Sequence, residues 1–223
     1  MATQFEIDCA LMAGHAYRTT RDEINWLPVP QGWTPFFPVP DPANPSFPAT
    51  AGFEAVSFRR GDEIVIAFAG TGQLNDWPAN FGLATGLGSD QLRQAALYYC
   101  QVKAANPNAQ ISFTGHSLGG GLASLLGVFF NERAVTFDQA PFRLSATTGM
   151  RDDLLAYLGS NGIAAADLQA LSDFNGLNGR AGNVTGLYVQ GEFITTIPPF
   201  SAFYGIGAQT PLTHGDYFGP IDL

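Results

Sequence analysis

This sequence predicts an α/β fold with a mostly parallel central sheet flanked by helices, and three observations predict it. Short β-branched and aromatic runs alternate with longer helical patterns, the order that builds strand–helix–strand units. One of those runs, Ile111-Ser112-Phe113-Thr114, passes through Gly115-His116-Ser117-Leu118-Gly119 straight into a helical pattern. The 223 residues are 46% hydrophobic and 13% charged, enough for one sizeable core and a single domain over 1–223.

The elements follow in chain order. Residues 3–18, with Phe5, Ile7, Cys9, Leu11 and Met12, are too long for one strand and read as a helix packed across the sheet. Residues 28–48 hold eight prolines among Trp33, Phe36, Phe37 and Phe47. That excludes helix and disfavours a central strand, so the segment reads as an extended aromatic loop, either a surface wrap or a flap beside the functional site. Residues 53–59 and 63–69 read as strands paired through the turn Arg60-Gly61-Asp62, the second ending in Gly70-Thr71-Gly72. A helix over 89–105, capped by Ser89, stops at Asn106-Pro107-Asn108 before the Ile111 strand.

After Gly119, the residues Leu122, Leu125, Leu126, Phe129 and Phe130 continue from Leu118 along one helix face, which anchors that helix in the core. Residues 135–138 and 186–191 read as further strands. Between them, residues 142–180 form a small helical insertion, with two short helices in 150–174 that serve either as a cap or as a plain crossover between parallel strands.

Ten Lys and Arg against nineteen Asp and Glu give a net charge of −9, which repels phosphate backbones and leaves no expectation of a nucleic-acid partner. Cys9 and Cys100 lack metal-ligand spacing and fall in different helices; they read as small buried apolar residues, with one disulfide as the alternative. No apolar run reaches membrane-spanning length. The first residues carry no basic and apolar leader, so no secretory signal is read. The chain then works inside the cell, leaves it by another route, or belongs to a larger protein. The sequon Asn183-Val184-Thr185 reads as coincidence without such a signal. Oligomeric state is not written in the sequence.

The strand–Gly-x-Ser-x-Gly–helix order is a nucleophile elbow, the sharp turn that exposes a serine hydroxyl in an α/β-hydrolase. A serine hydroxyl needs a base, and the chain holds three histidines. His116 adjoins the nucleophile and points away from it, and His15 lies in the first helix. His214, late in the chain, fits the order serine, acid, histidine. Glu192, after Val189-Gln190-Gly191, stands where a buried strand leaves the carboxyl edge of the sheet; Asp138, at the end of another strand, is the rival acid, with Asp216 and the acids of the insertion behind it. The oxyanion calls for the backbone N–H of Leu118 and a second N–H from the Gly70-Thr71-Gly72 loop, with the Thr71 hydroxyl as a third donor. No metal or organic cofactor is implied.

On Ile64-Val65-Ile66-Ala67-Phe68-Ala69-Gly70-Thr71-Gly72, Asn75-Asp76-Trp77, Thr114-Gly115-His116-Ser117-Leu118-Gly119-Gly120, Val135-Thr136-Phe137 and the stretch from Val189 to His214, the chain resembles the class 3 lipases, a family of fungal triacylglycerol lipases and bacterial relatives. The resemblance spans residues 53–217. It implies Ser117 as nucleophile, His214 as base, Glu192 as acid, and Thr71 with Leu118 as the oxyanion hole. The chain departs from the family pattern at Ala69, where the family carries Arg, at Glu192, where it carries Asp, and in a short acid-to-histidine interval.

The expected activity is that of a serine carboxylic-ester hydrolase, a lipase cleaving apolar acyl esters through an acyl-enzyme. Its partners would be a small acyl ester or lipid and, transiently, a lipid interface. The 18 Phe, 7 Tyr and 3 Trp suit an acyl chain. The alternatives are a phospholipase, a short-chain carboxylesterase, or a catalytically idle hydrolase-fold binding module of a larger protein.

Overall fold

The computed structural model describes residues 2–17, 27–39, 53–70, 87–189 and 205–212. Helix α1 (Gln4–His15) opens with a capping box: Glu6 N–H donates to the Thr3 hydroxyl at 3.3 Å, and Thr3 N–H donates to the Glu6 carboxylate at 2.7 Å. Seven strands follow in one sheet, β1 (Thr34–Val39), β2 (Ala55–Arg60), β3 (Glu63–Phe68), β4 (Gln110–His116), β5 (Arg133–Phe137), β6 (Val184–Val189) and β7 (Ala208–Leu212). They lie side by side in chain order, β1 to β3 antiparallel and β3 to β7 parallel. This is an α/β-hydrolase architecture with a mostly parallel sheet.

Both faces of the sheet are covered, which is why its central strands read as continuous apolar runs rather than strict alternations. Ile64, Ile66 and Phe68 of β3 enter one core with α2 (Leu87–Ala105), α3 (Leu118–Phe130), α4 (Thr148–Ser160) and α5 (Gln169–Ser172). Val65, Ala67 and Ala69 enter the other, under Cys9, Met12 and Ala13 of α1. Every residue of α3 is buried, the mark of a helix apolar all round. Each Leu or Phe it buries contributes about 1.5–3 kcal/mol.

Two segments differ from the sequence reading. Part of the 28–48 segment is β1, an edge strand, and its prolines are tolerated because an edge leaves one side of the ladder unpaired. Its register slips between Phe36 and Val39, the stretch holding Pro38. At the opposite edge stands β7, Ala208-Gln209-Thr210-Pro211-Leu212, which lacks the β-branched run that would have marked it. Helix α2 also starts at Leu87, two residues ahead of the Ser89 read as its cap.

Residues 142–180 connect the parallel strands β5 and β6. They contain a short 3-10 helix (Phe142–Ser145), then α4 and α5. Leu154, Leu158 and Leu171 of this crossover join the core that holds α2 and α3, and Arg93 of α2 grips the Asp153 carboxylate with two N–H groups at 2.9 and 2.5 Å. Cys9 and Cys100 are free thiols buried on opposite faces of the sheet, and burial pushes both up to about 12. Among the described residues no helix is long and apolar enough to cross a membrane.

Candidate active site

The carboxyl edge of the parallel strands gathers the chain exits that matter. Register pairs Phe68 with Gly115, His116 with Phe137, Phe137 with Leu187 and Val189 with Leu212, so β3 to β7 end side by side. From that edge the chain leaves β3 through Ala69-Gly70, β4 through Ser117, β5 through Asp138, β6 three residues before Glu192 and β7 two residues before His214.

Ser117 sits between β4 and α3 at φ 57° and ψ −123°, a left-handed conformation rare outside glycine. Three backbone hydrogen bonds hold it there. Its N–H donates to Phe137 O at 3.0 Å, and its carbonyl accepts from Gly121 at 3.0 Å and from Ala140 at 2.8 Å. Although it occupies the cap position of α3, its side chain makes no cap hydrogen bond, so the hydroxyl is not spent on the helix. The residue is 3% exposed. Leu118 heads α3, where a backbone N–H has no intrahelical acceptor and the helix dipole favours negative charge.

The flanking glycines are dictated by close approach. A Cβ on Gly115 would strike the Gly119 carbonyl, and one on Gly119 would strike the Phe68 carbonyl and Ala69. The end of β3 therefore lies directly against the first turn of α3. A Cβ built on Gly70 would fall 3.3 Å from Ser117 Cβ, which brings the strand exit to Ser117. Thr71, the next residue, lies outside the described residues, as do Glu192 and His214.

Asp138 is buried one residue past β5 and also left-handed, at φ 42°. Its N–H donates to Leu187 O at 2.8 Å and its Oδ1 accepts from Val189 N–H at 2.9 Å, so its carboxylate is tied to the end of β6. Beside it, Gln139 fills its amide valences: Nε2 donates to Thr136 Oγ1 at 3.0 Å and to Ile206 O at 3.1 Å, and Oε1 accepts from Ile206 N–H at 3.2 Å. The amide passes over Gly186, whose missing side chain makes the room, and fixes the approach to β7. Sequence reading missed Gln139, because its partner Ile206 lies 67 residues away, just ahead of a strand that was itself unmarked.

The other two histidines are committed elsewhere. His15 Nδ1 lies 2.7 Å from Leu27 O, with the ring edge-on to Phe58 at 5.6 Å. His116 Nδ1 lies 2.9 Å from the Tyr17 hydroxyl.

Comparison with known proteins fits this arrangement. The extracellular phospholipase A1 of Serratia liquefaciens is 38% identical over 117 residues, covering 52% of this chain and 34% of that protein. This chain thus spans about a third of that relative's length. Lipase II of Rhizopus niveus superposes with a TM-score of 0.54 at 16% identity, over 95% of this chain and 82% of its own. The lipase of Rhizopus microsporus var. chinensis gives 0.53 at 16%, over 95% and 76%. At that identity the likeness speaks for the α/β-hydrolase fold alone. The family model for the Tle-like phospholipase domain matches residues 8–210, nearly the whole chain, with the ends of β3 to β6 and Ser117 inside the match, and the chain belongs to that family.

Proposed function

We propose that this domain hydrolyses acyl esters of lipids through an acyl-enzyme on Ser117, with phospholipids within its range. The observation that carries the reading is the left-handed serine at the strand-to-helix turn, with a hydroxyl that does not cap its helix. His214 takes the serine proton and returns it to the leaving alcohol. Glu192 orients that imidazole and stabilises its charged form. The backbone N–H groups of Leu118 and Thr71 receive the oxyanion, and water then cleaves the acyl-enzyme by the same route in reverse. Family membership and the Serratia relative support phospholipids among the esters.

Turnover of a graded series of p-nitrophenyl esters and one phospholipid, before and after single substitutions, tests the roles. Glu192→Gln should lower kcat by up to about 10⁴, and His214→Ala by about as much or more, while His15→Ala leaves it in place. Activity should decline as pH falls through the ordinary histidine range, about 6.5, because a protonated base cannot accept the serine proton. EDTA should change nothing. If Asp138→Asn produces the large loss and Glu192→Gln does not, the acid belongs to β5.

A further inference from the structure

We propose that Tyr17 is a positioning residue for this hydrolysis, its hydroxyl locking the exit of β3 against the nucleophile through His116. The proposal rests on the serine reading above but on separate observations.

Tyr17 follows the end of α1 and is buried. Its oxygen lies 2.9 Å from His116 Nδ1 and 3.3 Å from His116 O. Both contacts are satisfied when His116 Nδ1–H donates to the tyrosine oxygen and the tyrosine hydroxyl donates to the His116 carbonyl. The rings stand 6.2 Å apart at 57°, so the imidazole is held on the α1 side of β4. The same oxygen also faces β3: a Cβ on Gly70 would fall 2.5 Å from it and 2.9 Å from His116 O.

One buried hydroxyl thus joins the end of α1, the last residue of β4 and the exit of β3, and the residue it grips immediately precedes Ser117. Nothing along the chain predicts this junction, since Tyr17 and His116 are 99 residues apart. Its consequence is chemical. An oxyanion is stabilised only when its donors stand about 2.7–3.1 Å from the charge in the transition state, and a shift of about 1 Å can cost about 100-fold. With the hydroxyl gone, Gly70 loses the stop that sets its distance from Ser117 Cβ, and the chain that continues into Thr71 starts from a looser anchor. Tyr17 acts through His116 and Gly70, so the loss is expected on kcat.

The test is Tyr17→Phe in the full chain, which keeps the ring and removes one oxygen. On p-nitrophenyl butyrate, kcat should fall about tenfold to hundredfold with KM within about twofold. The rate of Ser117 labelling by a fluorophosphonate should fall in parallel, because that reaction also builds charge on an oxygen facing the same donors. The acidic limb of the pH profile should stay where it is, and Tm should fall by no more than about 2–6 °C, the effect of one or two lost buried hydrogen bonds. A kcat within about twofold of wild type overturns the proposal, as does a fall in kcat accompanied by a raised KM or by a large loss of Tm. If the wild type itself takes no label, the serine reading fails instead.

Discussion

Holding Ser117 at φ 57° and ψ −123° costs about 1–3 kcal/mol, which the three backbone hydrogen bonds at that residue and the packing of α3 against β3 offset. The strain has a use, since it turns the side chain out of the helix cap. Because β3 runs directly beneath, Gly119 admits no side chain. Gly119→Ala should drive a methyl into the Phe68 carbonyl, lower stability by about 1–3 kcal/mol or more and, by pushing β3 off α3, cut turnover in whatever folds. Urea unfolding together with a p-nitrophenyl ester assay measures both; wild-type values would mean that β3 and α3 are not so closely apposed. The elbow was legible because its pentapeptide encodes both the turn and the contact. The left-handed Asp138 was not, because its conformation is fixed by Leu187 and Val189, which reach it only after the sheet has formed.

At the scale of elements, α1 shows why a mixed pattern still makes a packed helix. Ile7 is exposed and Leu11 only half-buried, while the polar Asp8 and His15 take core positions. Asp8 can do so because three donors meet it: Trp33 Nε1 at 2.9 Å and Arg60 Nη1 at 3.2 Å on one oxygen, and Gln4 Nε2 at 2.9 Å on the other. The Arg60 guanidinium also stacks on Trp33 at 4.3 Å. This cluster ties α1 to the β1–β2 edge and so helps fix where Tyr17 arrives. Asp8→Ala would strand the indole N–H and leave Arg60 with Glu63 as its carboxylate, and should cost about 3 kcal/mol. For a chain of this size that lowers Tm by about 6–12 °C in a thermal melt. A loss under about 1 kcal/mol would show that the cluster is solvated rather than structural. The strands that could be read, β2 to β6, are those buried on both faces. The two that could not, β1 and β7, are edges, where proline is permitted and apolar pattern is not demanded.

Across the whole molecule, the parallel register turns residues scattered over about 140 positions into one edge. Ser117, the Leu118 N–H, Asp138 and the strand exits toward Thr71, Glu192 and His214 all belong to the ends of β3 to β7. The proposed mechanism puts the chemistry of that edge on Ser117, so the most direct measurement is fluorophosphonate labelling and ester turnover of the wild-type chain beside Ser117→Ala. The variant removes one oxygen from a site fixed by backbone hydrogen bonds, so its Tm should match wild type. The wild type should carry one probe per chain at Ser117 and turn over lipid esters, and the variant should take no label and lose about 10⁴- to 10⁶-fold in rate. Turnover retained in purified Ser117→Ala, or a folded wild type that neither labels nor hydrolyses, would contradict a serine hydrolase and leave a hydrolase-fold binding domain.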